Sequence, residues 1–372
     1  MKKLLILTDA HYSSIFRVGS HHIIESVNGM NKYNAEVYST PISIFLFFKL
    51  YQFSVRSRIK SFFISNFSNK VYHLPLTILP YRLARKVFNE KISRIICKPI
   101  FITPLERQYD MVIIDSVEYL PILDKIKAKK ILYRPTDIYS YASKYYLELE
   151  EKYIKANNVK LICMSRASAN FYSKNGFEVL SVIENGVANA FHNENKSHIK
   201  NYSSKPCELK AIYYGALDER IDLDFIKMYI RSGINVDLYG DGSLVERIKD
   251  DDILKHYYKG VLDYSKIPKT VAMYHLGLLP FNNDPKNKSR SPMKLYEYLS
   301  CGLIVQTTTS FKCDHAESIS DENELLSSLE KISQCYAREG VKSIKLERHK
   351  IADLHTWDSK STKILSHIEN GK

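Results

Sequence analysis

Ser289-Arg-Ser-Pro-Met-Lys-Leu-Tyr-Glu-Tyr-Leu-Ser-Cys-Gly-Leu303 joins a polar loop to an amphipathic segment that carries a single carboxylate, Glu297. Just upstream, Leu276-Gly-Leu-Leu-Pro-Phe281 is a short apolar run of the kind that forms a buried parallel strand. Strand, loop and helix in that order make half of a βαβ unit, in which ligands bind outside the carboxyl ends of the strands. Ser291, Pro292, Met293 and Lys294 are the expected helix start, whose backbone N–H groups are placed to meet phosphate oxygens. Lys294 adds a mobile positive charge. Glu297 follows it by three residues, on nearly the same helical face, where its carboxylate can accept from two vicinal hydroxyls. An ordinary helix start with a solvated lysine and glutamate would use the same residues.

Apolar runs recur along the chain with helical stretches between them. In the first half they are Leu4–Leu7, Glu36–Ser39, Met111–Ile114, Lys130–Tyr133, Leu161–Met164 and Val179–Ile183. A polar stretch from Asn193 to Lys205 interrupts the alternation, which restarts at Leu209–Tyr214 and continues through Val236–Tyr239, Tyr257–Val261, Leu276–Phe281 and Leu303–Thr307. Strands alternating with helices predict an α/β fold with doubly wound sheets, and 372 residues suit two domains better than one. The expected organisation is a first Rossmann-like domain over 1–192, a linker over 193–207, a second over 208–355, and a terminal helix over 356–372.

The run Ser-Pro-Met-Lys-Leu-Tyr-Glu-Tyr-Leu-Ser-Cys-Gly from Ser291 to Gly302 resembles the donor-nucleotide helix of GT-B glycosyltransferases. It is similar to the exopolysaccharide (xanthan-type) glucuronosyltransferases and the teichuronic-acid-type transferases. Ile15-Phe-Arg-Val-Gly-Ser-His-His22 and Tyr213-Tyr-Gly-Ala-Leu-Asp218 are similar to segments of the same group. The resemblance implies two Rossmann-like domains facing across a cleft and transfer of a sugar, glucuronic acid among the options, from a UDP-sugar to a lipid-linked oligosaccharide. It implies donor contacts from Gly215, where a glycine lets the backbone approach a diphosphate, and from Val261 at the nucleobase. Many retaining members carry a second glutamate eight positions before the first; Ser289 stands there, which implies an inverting displacement.

Inverting transfer needs a base in the first domain. Asp9, Asp115 and Asp137 each end an apolar run there, and each is also suited to capping a helix. The family's aspartate matches Asp137, in Arg134-Pro-Thr-Asp137; His11 is a fourth candidate. Arg17, Gly19 and His21 open the expected first helix on the acceptor side, with Arg17 suited to an acidic group or a carrier diphosphate. His21 and His22 are adjacent and so point to different faces. Glu184-Asn-Gly-Val187 resembles the turn that joins the two domains in many GT-B transferases.

Composition narrows the partners. Residues 41–110 hold 12 Lys and Arg against 3 Asp and Glu, a large part of the chain's net charge of +13. Lys49, Arg56 and Lys60 fall on one helical stripe beside Phe48, Val55, Ile59 and Phe62, a pattern suited to an anionic membrane surface or to a packed helix with a solvated cationic face. No helix-turn-helix, zinc or RNA-recognition signature accompanies the charge, so nucleic acid is not an expected partner. Six scattered cysteines without a C-x-x-C pair argue against zinc and against a disulfide framework. Asp222 and Asp224 sit amid a helical pattern, and Asp250 to Asp252 read as a helix end, so no metal or other cofactor is expected. The expected place is the cytoplasm, at the inner face of the plasma membrane. A sugar-nucleotide epimerase, or a non-catalytic nucleotide-binding subunit that recruits a partner to the membrane, would share most of these features.

Overall fold

The apolar runs become parallel strands because a central strand of a parallel sheet is buried on both faces and therefore reads as continuous hydrophobic sequence. In the computed structural model, which describes residues 1–11, 17–39, 42–49, 59–64, 71–73, 76–79, 92, 107–194 and 208–370, Leu4 to Leu7 are wholly inaccessible. The chain divides into two units, one made of Met1–Glu184 with Ser361–Lys372, the other of Asn185–Lys360.

The first unit contains β1 (Lys2–Thr8), β2 (Tyr33–Ser39), the short β3 (Ile42–Ser43), β4 (Tyr72–His73) and β5 (Leu76–Thr77), then β6 (Gln108–Ile114), β7 (Lys127–Tyr133), β8 (Lys160–Cys163) and β9 (Val179–Val182). Seven of them form one parallel sheet in the order β4-β2-β1-β6-β7-β8-β9, while β3 and β5 pair separately. From β1 the chain first winds one way to β2 and later resumes on the other side at β6. The topological switch point therefore lies between the carboxyl ends of β1 and β6. The end of the helix Trp357–Asn370 is fastened to the opposite edge of this sheet: Glu369 accepts from Lys2 (2.5 Å), Lys32 (3.0 Å) and Tyr33 (2.8 Å) at the starts of β1 and β2.

The second unit has β10 (Lys210–Ala216), β11 (Asn235–Asp241), β12 (Leu276–Leu279), β13 (Ile304–Thr308) and β14 (Glu317–Ile319), parallel in the order β11-β10-β12-β13-β14. Its switch point lies between β10 and β12. One expected strand is corrected. Tyr257–Val261 makes only a single bridge, Tyr258 to Leu238, because its residues stay partly or fully exposed rather than buried on both faces. Among the described residues no helix is long and apolar enough to cross a membrane. Ile15, Phe16, Val55, Arg56, the side chain of Lys49 and most of the expected linker lie outside the described residues.

Candidate functional site

Of the residues expected to contact a donor, Gly215, Lys294 and Glu297 meet at the β10/β12 switch point. β10 ends in Tyr213-Tyr214-Gly215-Ala216, and the helix Met293–Ser300 meets it through Tyr298, whose hydroxyl donates to the Ile212 carbonyl at 3.3 Å. Tyr298 stands edge-on to Tyr214, ring centroids 5.5 Å apart. On the same helix Glu297 is 3% exposed and accepts a hydrogen bond from the Tyr214 hydroxyl. That bond fixes the direction of the carboxylate.

Lys294, one turn earlier, lies on the end of β10. Its ammonium lies 5.6 Å from the Tyr213 ring centroid and 5.9 Å from that of Tyr214, within reach of the electron-rich ring faces. A Cβ on Gly215 would stand 2.4 Å from Lys294 Cε and 2.5 Å from Nζ, and the φ of +132° at Gly215 is one that L side chains rarely adopt. Only glycine lets this lysine lie on the strand end. Burial pushes the Lys294 pKa down to about 8; repulsion from Arg290 and Arg220 adds to this, and Glu297 opposes it.

Arg220 is steadied by Asp218, with Nε donating to Oδ1 at 2.9 Å, and Arg290 lies over the Phe281 ring at 5.1 Å. Three cations thus gather where the carboxyl ends of β10 and β12 diverge, beside the start of the Met293–Ser300 helix, an arrangement suited to a multiply charged anion. Ser291 stands just before that start. It accepts from the Asn185 N–H on its hydroxyl (2.9 Å) and from the Asn185 side-chain amide on its carbonyl (2.6 Å). Pro292 is the helix N-cap and Met293 its first residue. Val261 is exposed beyond the Tyr258 bridge.

In the first unit the switch point between β1 and β6 gathers a second set. Asp115, 1% exposed, accepts from Ser20 and faces the wholly buried Arg134 guanidinium at 3.5 Å. Burial raises its pKa, against the pull of Arg134 and Ser20. The backbone carbonyl of Asp115 accepts from Tyr139 at 2.9 Å, whose hydroxyl lies 2.7 Å from Thr136 Oγ1. Asp115 therefore ties together the helix Gly19–Gly29, the end of β6 and the loop after β7. Asp137, in that loop, is half-buried, while Asp9, after β1, is exposed.

His21 is buried, with both ring nitrogens engaged by backbone. Nδ1 accepts from the Val18 N–H at 3.1 Å and Nε2 lies 3.0 Å from the His11 carbonyl, which places the proton on Nε2. Burial pushes its pKa down to about 4. The structure thus gives His21 an internal role, holding the start of the Gly19–Gly29 helix against the loop after β1. His11 is half-buried with Nδ1 2.9 Å from Ser61 Oγ. Arg17 pairs with Glu25. Burial works against ionisation of Glu25, but hydrogen bonds from His22 and Arg17 carry its pKa down to about 2.

Arg220, Arg290 and Tyr214 were not singled out by sequence reasoning. Tyr214 adjoins Gly215, and Arg220 follows it by five residues, so proximity to the glycine was the available signal.

No family model matches the chain, and no characterised relative matches it by sequence. Solved structures do resemble it. The crystal structure of Anabaena HepE in complex with UDP and glucose superposes over all of both chains with a TM-score of 0.60 at 14% identity. A glycosyltransferase from Rickettsia africae matches over 100% of this chain and 99% of its own, with a TM-score of 0.61 at 12% identity. WaaG, a glycosyltransferase involved in lipopolysaccharide biosynthesis, matches over 99% and 100%, with a TM-score of 0.56 at 14% identity. At these identities the likeness establishes the architecture: the chain has the GT-B fold, with mixed α/β units built on parallel sheets.

Proposed function

We propose that this chain is a glycosyltransferase that takes a sugar from a UDP-sugar and transfers it, with inversion, to a lipid-linked oligosaccharide of a surface polysaccharide. The observation that carries the reading is the convergence of Lys294, Glu297 and Gly215 at the β10/β12 switch point. There a nucleoside diphosphate finds cations for its phosphates, Lys294 laid on the Gly215 strand end among them, and a fixed carboxylate for the ribose hydroxyls. HepE, of the same fold, was solved with UDP and glucose, which supports uridine as the nucleoside; glucuronate is the sugar favoured by the sequence resemblance.

In the proposed reaction the acceptor oxygen attacks the anomeric carbon as the bond from that carbon to the diphosphate oxygen breaks. Asp137 takes the acceptor's proton, and the electron pair leaves with UDP. Lys294, Arg220, Arg290 and the N–H groups at the helix start meet the charge that develops on the leaving group. Asp115 is too deeply buried to reach an acceptor, so its role in this scheme is to hold the loop that presents Asp137. Phe45 and Phe48, 51% and 81% exposed, lie within the basic 41–110 segment, and together they support docking at an anionic membrane face where a lipid-linked acceptor resides.

The test is calorimetric titration of UDP, followed by turnover with UDP-sugars and a polyprenyl-diphosphate-linked glycan. Glu297→Ala should weaken UDP by about 1–3 kcal/mol, the usual range for a lost hydrogen bond to a charged group. Asp137→Asn should abolish transfer while keeping UDP affinity. A wild-type chain that binds no UDP would remove the proposal.

A further inference from the structure

We infer that Asn185 is a positioning residue for the donor diphosphate, acting through Ser291; this rests on the donor reading above. Among the described residues no side chain caps the helix Met293–Ser300, and its N-cap is a proline, which has no N–H to anchor it. What holds the start of the helix is the two-bond clamp from Asn185, 106 residues away in sequence, onto the hydroxyl and the carbonyl of Ser291. Because the Ser291 hydroxyl accepts from the Asn185 N–H, its own proton is directed elsewhere and is available to donate. Lys294, three residues on and lying against Gly215, brings a cation to the same helix start, so a phosphate oxygen is the acceptor of matching chemistry.

The clamp has a firm base. Two residues on, the Val187 N–H donates to the His355 carbonyl at 2.8 Å, and the Val187 carbonyl accepts from the Trp357 N–H at 3.1 Å. The His355 ring in turn stacks on Tyr296, centroids 4.1 Å apart and planes 15° from parallel. Lys360 Nζ lies 3.0 Å from His355 Nδ1. The donor helix is therefore fastened at Ser291 to the segment 185–187 and at Tyr296 to the segment 355–360, and those two segments are bonded to each other. Of the two fastenings, the one at Ser291 bears directly on the phosphate end of the site. Glu297, held by Tyr214, is one and a half turns further along the helix and is the ribose end.

The experiment compares UDP with uridine on the full chain. Asn185→Ala should weaken UDP roughly three- to tenfold, the effect of one hydrogen bond, and raise KM for the UDP-sugar with little change in kcat. Uridine, which lacks the diphosphate, should bind as in wild type. Ser291→Ala should weaken UDP as well, Ser291→Thr should keep the affinity, and Ser291→Ala should cost less in the Asn185→Ala background than alone, because both substitutions break one clamp. Unchanged UDP affinity in Asn185→Ala would overturn the inference. So would equal loss of UDP and uridine, which would mean that the whole helix shifts, and so would full additivity of the two substitutions. If wild type binds UDP while Asn185→Ala behaves as wild type, only this inference fails; if wild type binds no UDP, the donor reading fails with it.

Discussion

UDP affinity should fall as pH rises through about 8, and the cause is one lysine. Lys294 is pressed against two tyrosine rings at a strand end that only glycine leaves open. Burial holds its pKa at about 8 instead of 10.5. The cationic form is the one that attracts a diphosphate, and above the lowered pKa the free protein must take up a proton to bind. The sign follows: binding is at full strength below pH 8 and weakens above it, with the affinity roughly tenfold lower at pH 9 if only the charged lysine binds. The diphosphate is already ionised over this range, its last pKa being about 6. The assay is titration of UDP by calorimetry between pH 7 and 9 in wild type, Lys294→Arg and Lys294→Met. The arginine variant keeps its charge throughout and should show a flat profile; the methionine variant should be weak and flat. Ionisation of the uracil ring is common to all three proteins and cancels in the comparison. A wild-type profile as flat as that of the arginine variant, or a fall of equal size in the methionine variant, would refute the reasoning. Stability of the free protein runs the other way. The charged lysine costs the fold most below pH 8, and the cost fades as pH rises towards 10.5, so the melting temperature should rise over that interval relative to Lys294→Met.

Two glycines at the ends of paired strands should separate binding from folding. Gly215→Ala drives its methyl into the end of a flexible lysine side chain, so beyond about 1–3 kcal/mol of backbone strain its main effect should be lost UDP affinity. Gly240→Ala would place a Cβ 1.8 Å from the Gly215 carbonyl oxygen, which cannot swing away, and should cost more in thermal unfolding than Gly215→Ala does; the reverse order would refute the packing argument. Glu150 is fully buried, accepting from Tyr133 at 2.6 Å and Tyr172 at 2.7 Å on one oxygen, and burial pushes its pKa up to about 7. Its ionised form is the penalised one, so the stability it leaves to the fold is full below pH 4.5 and is lost as pH rises through 7. Glu150→Gln should therefore stabilise the protein at pH 8, on the order of 1–3 kcal/mol, and flatten the dependence of melting temperature on pH between 5 and 8. An unchanged slope would count against the assignment.

The strands that were legible are those whose burial is written in local composition. Leu4–Leu7 and Leu276–Leu279 are continuous apolar runs because they lie inside parallel sheets. Tyr257–Val261, with Lys259 and Gly260 in its middle, makes only the single bridge of Tyr258 to Leu238, since pairing depends on what lies alongside. Glu317–Ile319 escaped notice because an edge strand needs little hydrophobicity. The helix Met293–Ser300 was legible in the same local sense, with Lys294 and Glu297 at helical spacing after a strand.

What the amino-acid sequence determined by itself was this short-range grammar: alternating strands and helices, two sheets, and a helix start bearing one cation and one carboxylate. Tertiary structure decided the rest of the site. The bond from Tyr214 to Glu297 spans 83 residues and that from Asn185 to Ser291 spans 106, and the lowered pKa of Lys294 exists only because Gly215 lets it lie on β10. Likewise, His21 reads as an acceptor contact in the sequence and becomes an internal clamp once packing removes its water. Helical spacing is imposed by hydrogen bonds within a few residues and can be read locally. Desolvation and long-range pairing are set by which distant segments share a core, and those distances exist only after the chain has closed on itself.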